Sequence, residues 1–128
     1  MKRYLLDTHV VLWMAENSPM LSDAAKLAIL DKHSPKFVSI VSAWEVAIKL
    51  ATGKLRLEGG LEEFFRIMDE NGLQVLGIER AYLQRVQALP FWHKDPFDRL
   101  LIATAVIENM TLISIDENVP KYEVSWLW

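Results

Sequence analysis

Apolar positions along this chain alternate between short unbroken runs and longer stretches with helical spacing. Tyr4-Leu5-Leu6 predicts a brief strand that ends at Asp7. Ser22 or Asp23 then opens a helix to about Lys32, with Leu21, Ala25 and Ala28 facing inward, and His33, Ser34 and Pro35 stop it. Phe37-Val38-Ser39 predicts a second strand. After it, Ser42-Ala43-Trp44-Glu45 has the Ser-x-x-Glu form of a capping box, leading a helix to Thr52 that Gly53 closes. Leu61, Phe64, Phe65 and Met68 fall at i, i+3, i+4 and i+7, the clearest amphipathic helix of the sequence, and Asn71-Gly72 ends it.

Leu73 to Ile78 predicts a third strand, and residues 79–88 a helix with Tyr82, Val86 and Leu89 on one face, terminated at Pro90. Past a loop of Phe91-Trp92-His93-Lys94, Asp95-Pro96 supplies an N-cap and a first-turn proline. The helix from there through Glu108 is apolar nearly all round, as expected of a helix packed centrally on a sheet. Thr111 to Ile115 predicts a strand ending at Asp116, and Tyr122 to Trp126 a last strand at the sheet edge. Short strands separated by helices imply an α/β fold: a three-layer α/β/α sandwich around a short, mainly parallel sheet of about five strands. With no repeat or linker in 128 residues, the chain is read as one domain, 1–128.

Composition narrows the chemistry. Hydrophobic residues make up 52% and charged residues 24%, the balance of a folded globular chain. Cysteine is absent, which excludes disulfides, thiolate metal sites and thiol nucleophiles, so any metal bound here is a hard ion held by oxygen or imidazole. No signal-peptide pattern or membrane-length apolar run is present, so a cytoplasmic protein is expected, with no membrane partner. The net charge of −3 argues against a broad basic face for duplex nucleic acid. Carboxylates loaded with divalent ions would still offer positive charge to a phosphate, so local charge matters more than the sum.

In open parallel sheets the ligand site lies beyond the carboxyl ends of the strands. Four acids are expected there: Asp7 after the first strand, Glu45 and Asp98 in the first turns of two helices, and Asp116 after the fourth strand. Each has an ordinary local role available, as a turn residue, a capping-box partner or a dipole-complementing charge. Their joint placement points further, because carboxylates crowded into one volume repel one another unless a cation is bound. Mg2+ or Mn2+ suits such a set, and a water on such an ion can attack a phosphodiester.

Leu5-Leu6-Asp7-Thr8-His9, Ser42-Ala43-Trp44-Glu45, His93-Lys94-Asp95-Pro96-Phe97-Asp98-Arg99 with Ile102-Ala103-Thr104-Ala105, and Leu112-Ile113-Ser114-Ile115-Asp116 resemble, in order, the motifs of PIN domains, most closely those of VapC-type toxins. Each motif is weak alone; four in order across nearly the whole chain are specific. The resemblance implies a Mg2+- or Mn2+-dependent endoribonuclease, a homodimer, an RNA substrate and a cognate antitoxin that blocks the active site. It matches Asp7, Glu45 and Asp98 to the three most typical acids and Asp116 to a fourth that acts through water or a second metal. Asp95 is an extra acid of a subgroup, and also reads as a helix cap. By the same analogy the products carry 3′-hydroxyl and 5′-phosphate ends.

Supporting roles stay open at this level. Thr8 can steady Asp7 or bond a water on the metal, and Ser42 can do the same beside Glu45 or only cap its helix. His93 can touch substrate, carry a proton or simply pack between Trp92 and Phe97. Arg99 can hold a phosphate or pair with an acid. Lys49, Lys54 and Arg56 form a small basic cluster suited to phosphate contacts. Five tryptophans are many for this length, and Trp44 is expected in the core. Rival readings fit less well. A haloacid-dehalogenase-like phosphatase requires Asp-x-Asp after the first strand, where this chain has Asp7-Thr8-His9, and a receiver domain needs paired early acids and a late lysine. A catalytically silent PIN-type binding module would have lost a central acid, and all four are present.

Overall fold

The computed structural model describes residues 2–128. Five strands, β1 (Tyr4–Leu6), β2 (Lys36–Ser39), β3 (Gln74–Leu76), β4 (Thr111–Ile113) and β5 (Trp126–Leu127), form one sheet in the order β3-β2-β1-β4-β5. Every pairing is parallel. Six α-helices connect them: α1 (Thr8–Ala15), α2 (Asp23–Leu30), α3 (Ile40–Ala51), α4 (Gly60–Glu70), α5 (Arg80–Ala88) and α6 (Pro96–Glu108). The expected α/β/α architecture is present.

Alternation along the strands divides the interior into two cores, because successive side chains leave opposite faces of a sheet. Tyr4, Leu6, Val38 and Ile113 pack with residues of α1 to α4, among them Val10, Ala25, Val46 and Phe64. Leu5 and Leu112 face the other way, onto Leu101, Ile102 and Ala105 of α6 and onto Val119 and Tyr122. β1 is therefore buried on both faces and α6 lies against the sheet, as its all-round apolar sequence requires. None of the helices among the described residues is long and apolar enough to cross a membrane.

Several boundaries differ from the sequence reading. α1 follows Asp7 with no loop between, and Asp7 is its N-cap, accepting the His9 N–H at 3.2 Å. α3 begins two residues before Ser42: its cap is Ser39, whose Oγ accepts the Val41 N–H, so the Ser42 capping box does not form and Glu45 sits in the second turn. Ser39 is also the last paired residue of β2, opposite Leu76, and the chain turns from ladder to helix at that one residue. β4 stops at Ile113 because Ser114 and Asp116 enter a side-chain-stabilised turn. Tyr122 is a core residue that follows a 3₁₀ turn (Val119–Lys121), which confines β5 to Trp126–Leu127.

Trp44 is not in the core: it is 60% exposed. Ser42, Glu45 and Val46 fill the inward face of α3, which leaves Ile40, Trp44 and Ile48, spaced by four, on an outward stripe.

Candidate metal centre

At the carboxyl edge of the sheet Asp7 follows β1, Asp116 lies beyond β4, Asp98 is in the first turn of α6, and Glu45 is in the second turn of α3, the helix that follows β2. Asp7 is buried, and each of its oxygens has a partner. Oδ1 accepts from the His9 N–H, and Oδ2 accepts from Ser114 Oγ at 2.7 Å. Burial raises its pKa above the usual carboxylate range, against the pull of those two bonds. Glu45 is buried as well; Thr8 Oγ1 donates to its Oε1 at 2.8 Å and Lys49 Nζ lies 2.8 Å from its Oε2. Thr8 thus steadies Glu45 rather than Asp7.

Asp98 occupies the third position of α6, after the Asp95 cap and Pro96. Its carboxyl is pushed up to about 8, first by burial and then by the negative fields of Asp7, Asp95, Asp116 and Glu45. These four acids are thus within electrostatic reach of Asp98. Asp95 behaves as the sequence suggests for a cap, its Oδ1 accepting the N–H groups of Phe97 at 2.8 Å and Asp98 at 3.2 Å. Asp116 is held by Ser114, whose Oγ accepts its N–H at 3.1 Å, while its own Oδ1 accepts the Asn118 N–H at 2.9 Å.

Ser114 therefore touches Asp7 through one bond and Asp116 through another, joining strand ends that are more than a hundred residues apart. The sequence reading assigned it no role; its place two residues before a strand-end acid was the available signal. Lys49, read as part of a surface cluster, is engaged with Glu45. Its pKa is raised by that bond and by the fields of Glu45, Asp95 and Asp98. Lys54 and Arg56 remain exposed.

Arg99 meets neither an acid nor open solvent. It is 4% exposed, and its guanidinium donates to the carbonyls of Val86, Leu89, Pro90 and His93 and to Tyr122 Oη, with its centre 4.1 Å from the Phe91 ring centroid. His93 is fixed by this loop. Its Nε2 lies 2.5 Å from Asp116 Oδ2 and 3.0 Å from Asp98 Oδ2, and its Nδ1 accepts the Asp95 N–H at 3.1 Å. His93, Asp98 and Asp116 form a group with ligand atoms mutually within 4.8 Å.

A hard divalent cation fits this donor set. The oxygens come from four carboxylates, two of which are driven toward protonation when no positive charge offsets them. Ser42 Oγ, one helical turn before Glu45 on the same face, is the buried side-chain polar atom among the described residues that lacks a partner. Asp7, Glu45, Asp98 and Asp116 are the residues that would hold such an ion; Asp98 and Asp116 belong to the group of ligand atoms within 4.8 Å of one another, and Asp7 and Glu45 do not.

Comparison with known proteins places the fold. Ribonuclease VapC22 of Mycobacterium tuberculosis is 29% identical over 124 residues, covering 95% of this chain and 93% of that protein. Similar solved structures include VapBC2 from Rickettsia felis bound to a DNA fragment from their promoter, with a TM-score of 0.74 at 16% identity over 98% of both chains. FitAcB from Neisseria gonorrhoeae has a TM-score of 0.66 at 16% identity, over 98% of this chain and 96% of that one. A toxin-antitoxin complex from Klebsiella pneumoniae has a TM-score of 0.65 at 19% identity, over the same shares. The model of the PIN domain family matches residues 4–124, and the chain belongs to that family.

Proposed function

We propose that the chain is a metal-dependent endoribonuclease, the toxin of a toxin–antitoxin pair, in which Asp7, Glu45, Asp98 and Asp116 hold one or two Mg2+ or Mn2+ ions. The observation that carries this reading is the convergence of acids from separate elements: the Asp98 carboxyl is pushed up to about 8, first by burial and then by the negative fields of Asp7, Asp95, Asp116 and Glu45. Such an arrangement is electrostatically unfavourable unless a cation occupies it. A bound ion there supplies Lewis acidity for the scissile phosphate and acidifies the attacking water.

The chain's own residues hold the acids in place. Ser114 and the His9 N–H fix both Asp7 oxygens, and Thr8 and Lys49 fix both Glu45 oxygens, so little reorganisation is left for the moment of reaction. The Lys49 ammonium also sets a positive charge beside the acids, where a backbone phosphate enters, which answers part of the objection raised by the net charge of −3. RNA as substrate is supported by the relative named a ribonuclease, and an antitoxin partner by structural neighbours that are toxin–antitoxin complexes. An RNA substrate implies a cytoplasmic site of action.

We further assign the apolar face of α3 and α5 to a homodimer. Ile40, Trp44, Ile48 and Leu83 are exposed there, and Trp44 and Leu83 line an apolar cavity of about 260 Å3 with Val41, Val86 and Leu100.

The cellular role is tested by inducing the chain and an Asp98→Asn control separately and mapping new RNA 5′ ends. Discrete ends that arise with the wild-type chain alone are expected, together with growth arrest relieved by a small neighbouring reading frame. Identical ends in both strains would overturn the assignment.

A further inference from the structure

His93 is built into the acidic centre more firmly than a loop residue needs to be. Its backbone N–H donates to Tyr122 Oη at 2.8 Å, its carbonyl accepts from Arg99 at 3.4 Å, and its ring Nδ1 accepts the Asp95 N–H at 3.1 Å. Arg99 in turn anchors the preceding loop at Val86, Leu89 and Pro90. The ring is thus held on three sides, with Nε2 aimed at one oxygen each of Asp116 and Asp98.

The tautomer follows from the partners. A backbone N–H pointing at Nδ1 requires the lone pair there, so the ring proton sits on Nε2. A nitrogen that carries a proton has no lone pair to give a metal. From this geometry we infer that His93 is not a ligand but a positioning residue: its Nε2–H grips Oδ2 of Asp116, closely flanked by Oδ2 of Asp98, and so fixes the orientation of the two carboxylates that would bind the cation.

The inference rests on the metal-dependent reading of the acids, and it changes what the grouping of His93 with Asp98 and Asp116 means. Proximity alone suggests a three-ligand site. The hydrogen bond at Nδ1 makes the imidazole an outer partner of the ligating carboxylates instead, the kind of contact that fixes carboxylate orientation in metal sites. Asp95 then has two tasks on one residue: its side chain caps α6, while its backbone N–H selects the His93 tautomer. Arg99 serves the centre at one remove, by holding the loop from which the ring projects.

The test combines ring nitrogen NMR with metal titration of the full chain. With only three histidines, the His93 resonances can be assigned by substitution. Long-range proton–nitrogen spectra are expected to show Nε2 protonated both without metal and with saturating Mg2+. A bare Nε2 with a protonated Nδ1 in the Mg2+ state would identify a ligand and overturn the inference. In calorimetric titration with Mn2+, His93→Ala should bind roughly 10- to 100-fold more weakly than wild type, the usual effect of losing an outer-shell partner. His93→Gln, which keeps a donor of similar reach, should recover most of that loss. An alanine variant that is folded and binds Mn2+ as tightly as wild type would overturn the positioning role. Failure of the wild-type chain itself to bind Mn2+ would instead overturn the metal-dependent reading of the acids, a result the His93 variants cannot mimic.

Discussion

Asp7 and Asp98 both lie in surroundings that resist their ionisation, yet differ in how they are held. Asp7 has a hydrogen-bond donor on each oxygen, whereas Asp98 takes position three of α6 with His93 near one oxygen. Asp7→Asn and Asp98→Asn should each lower RNA turnover by more than about a hundredfold, beyond what loss of a supporting partner causes, with circular dichroism unchanged. Asp98 also predicts a pH effect in metal-free protein. Its folded pKa, raised to about 8, lies above the unfolded value, so the folded state binds the proton more tightly. Stability from this group is present at acid pH and is lost as pH rises toward 8. In EDTA, the Tm of wild type should therefore fall relative to Asp98→Asn between about pH 4 and pH 8. A constant difference across that range would contradict the placement of Asp98. The places of Asp7, Asp98 and Asp116 were legible in the sequence as strand ends and a helix start, whereas Glu45 falls in the second turn of α3 and not the first. The role of Ser114 and the partners of Lys49 and His93 were not legible, since these depend on where side chains point once the elements pack.

At the scale of elements, the loop between α5 and α6 is organised from within by Arg99. Its guanidinium donates to four backbone carbonyls, those of Leu89, Pro90 and His93 and that of Val86, which also accepts the Leu89 N–H. Arg99→Ala should destabilise the chain by on the order of 3 kcal/mol in urea unfolding, because several part-buried acceptors lose one donor together and the buried side chain leaves a gap. Arg99→Lys should recover little, since a single ammonium cannot reproduce the planar fork. Near-wild-type stability of both variants would refute the clamp. The sequence had left Arg99 between a phosphate and an acid as partners, because a residue beside a site acid attracts a polar explanation; burial turned it the other way. α1 escaped the hydrophobic pattern because Thr8–Ala15 is apolar on several faces and shows no clean period. The start of α3 was displaced because Ser39 and Ser42 are both credible caps, and only the ladder ending at Ser39 chooses between them. Parallelism, by contrast, followed from alternating short apolar runs and helices, whereas the strand order β3-β2-β1-β4-β5 is set by pairing between segments distant in sequence.

Viewed whole, the molecule places the acidic centre at the sheet's carboxyl edge and an apolar stripe on α3 beside α5 and α6. Trp44 stands at the centre of that stripe, edge-on to Phe97 with ring centroids 5.3 Å apart. Trp44→Glu should convert a wild-type dimer to a monomer in sedimentation equilibrium, since a charge buried without a partner opposes association. A wild-type chain that is monomeric at micromolar concentration would rule out the homodimer on this face. The same substitution lies one residue from Glu45 in sequence but on another side of α3, so metal binding should survive it. The central claim, that the acids work through a divalent ion to cut RNA, is tested most directly with purified protein and end-labelled single-stranded RNA in Mn2+, in excess EDTA, and with Asp98→Asn. Cleavage that needs Mn2+ and Asp98 and leaves 5′-phosphate and 3′-hydroxyl ends is the predicted result; equal cleavage in EDTA, or products ending in 2′,3′-cyclic phosphate, would contradict it.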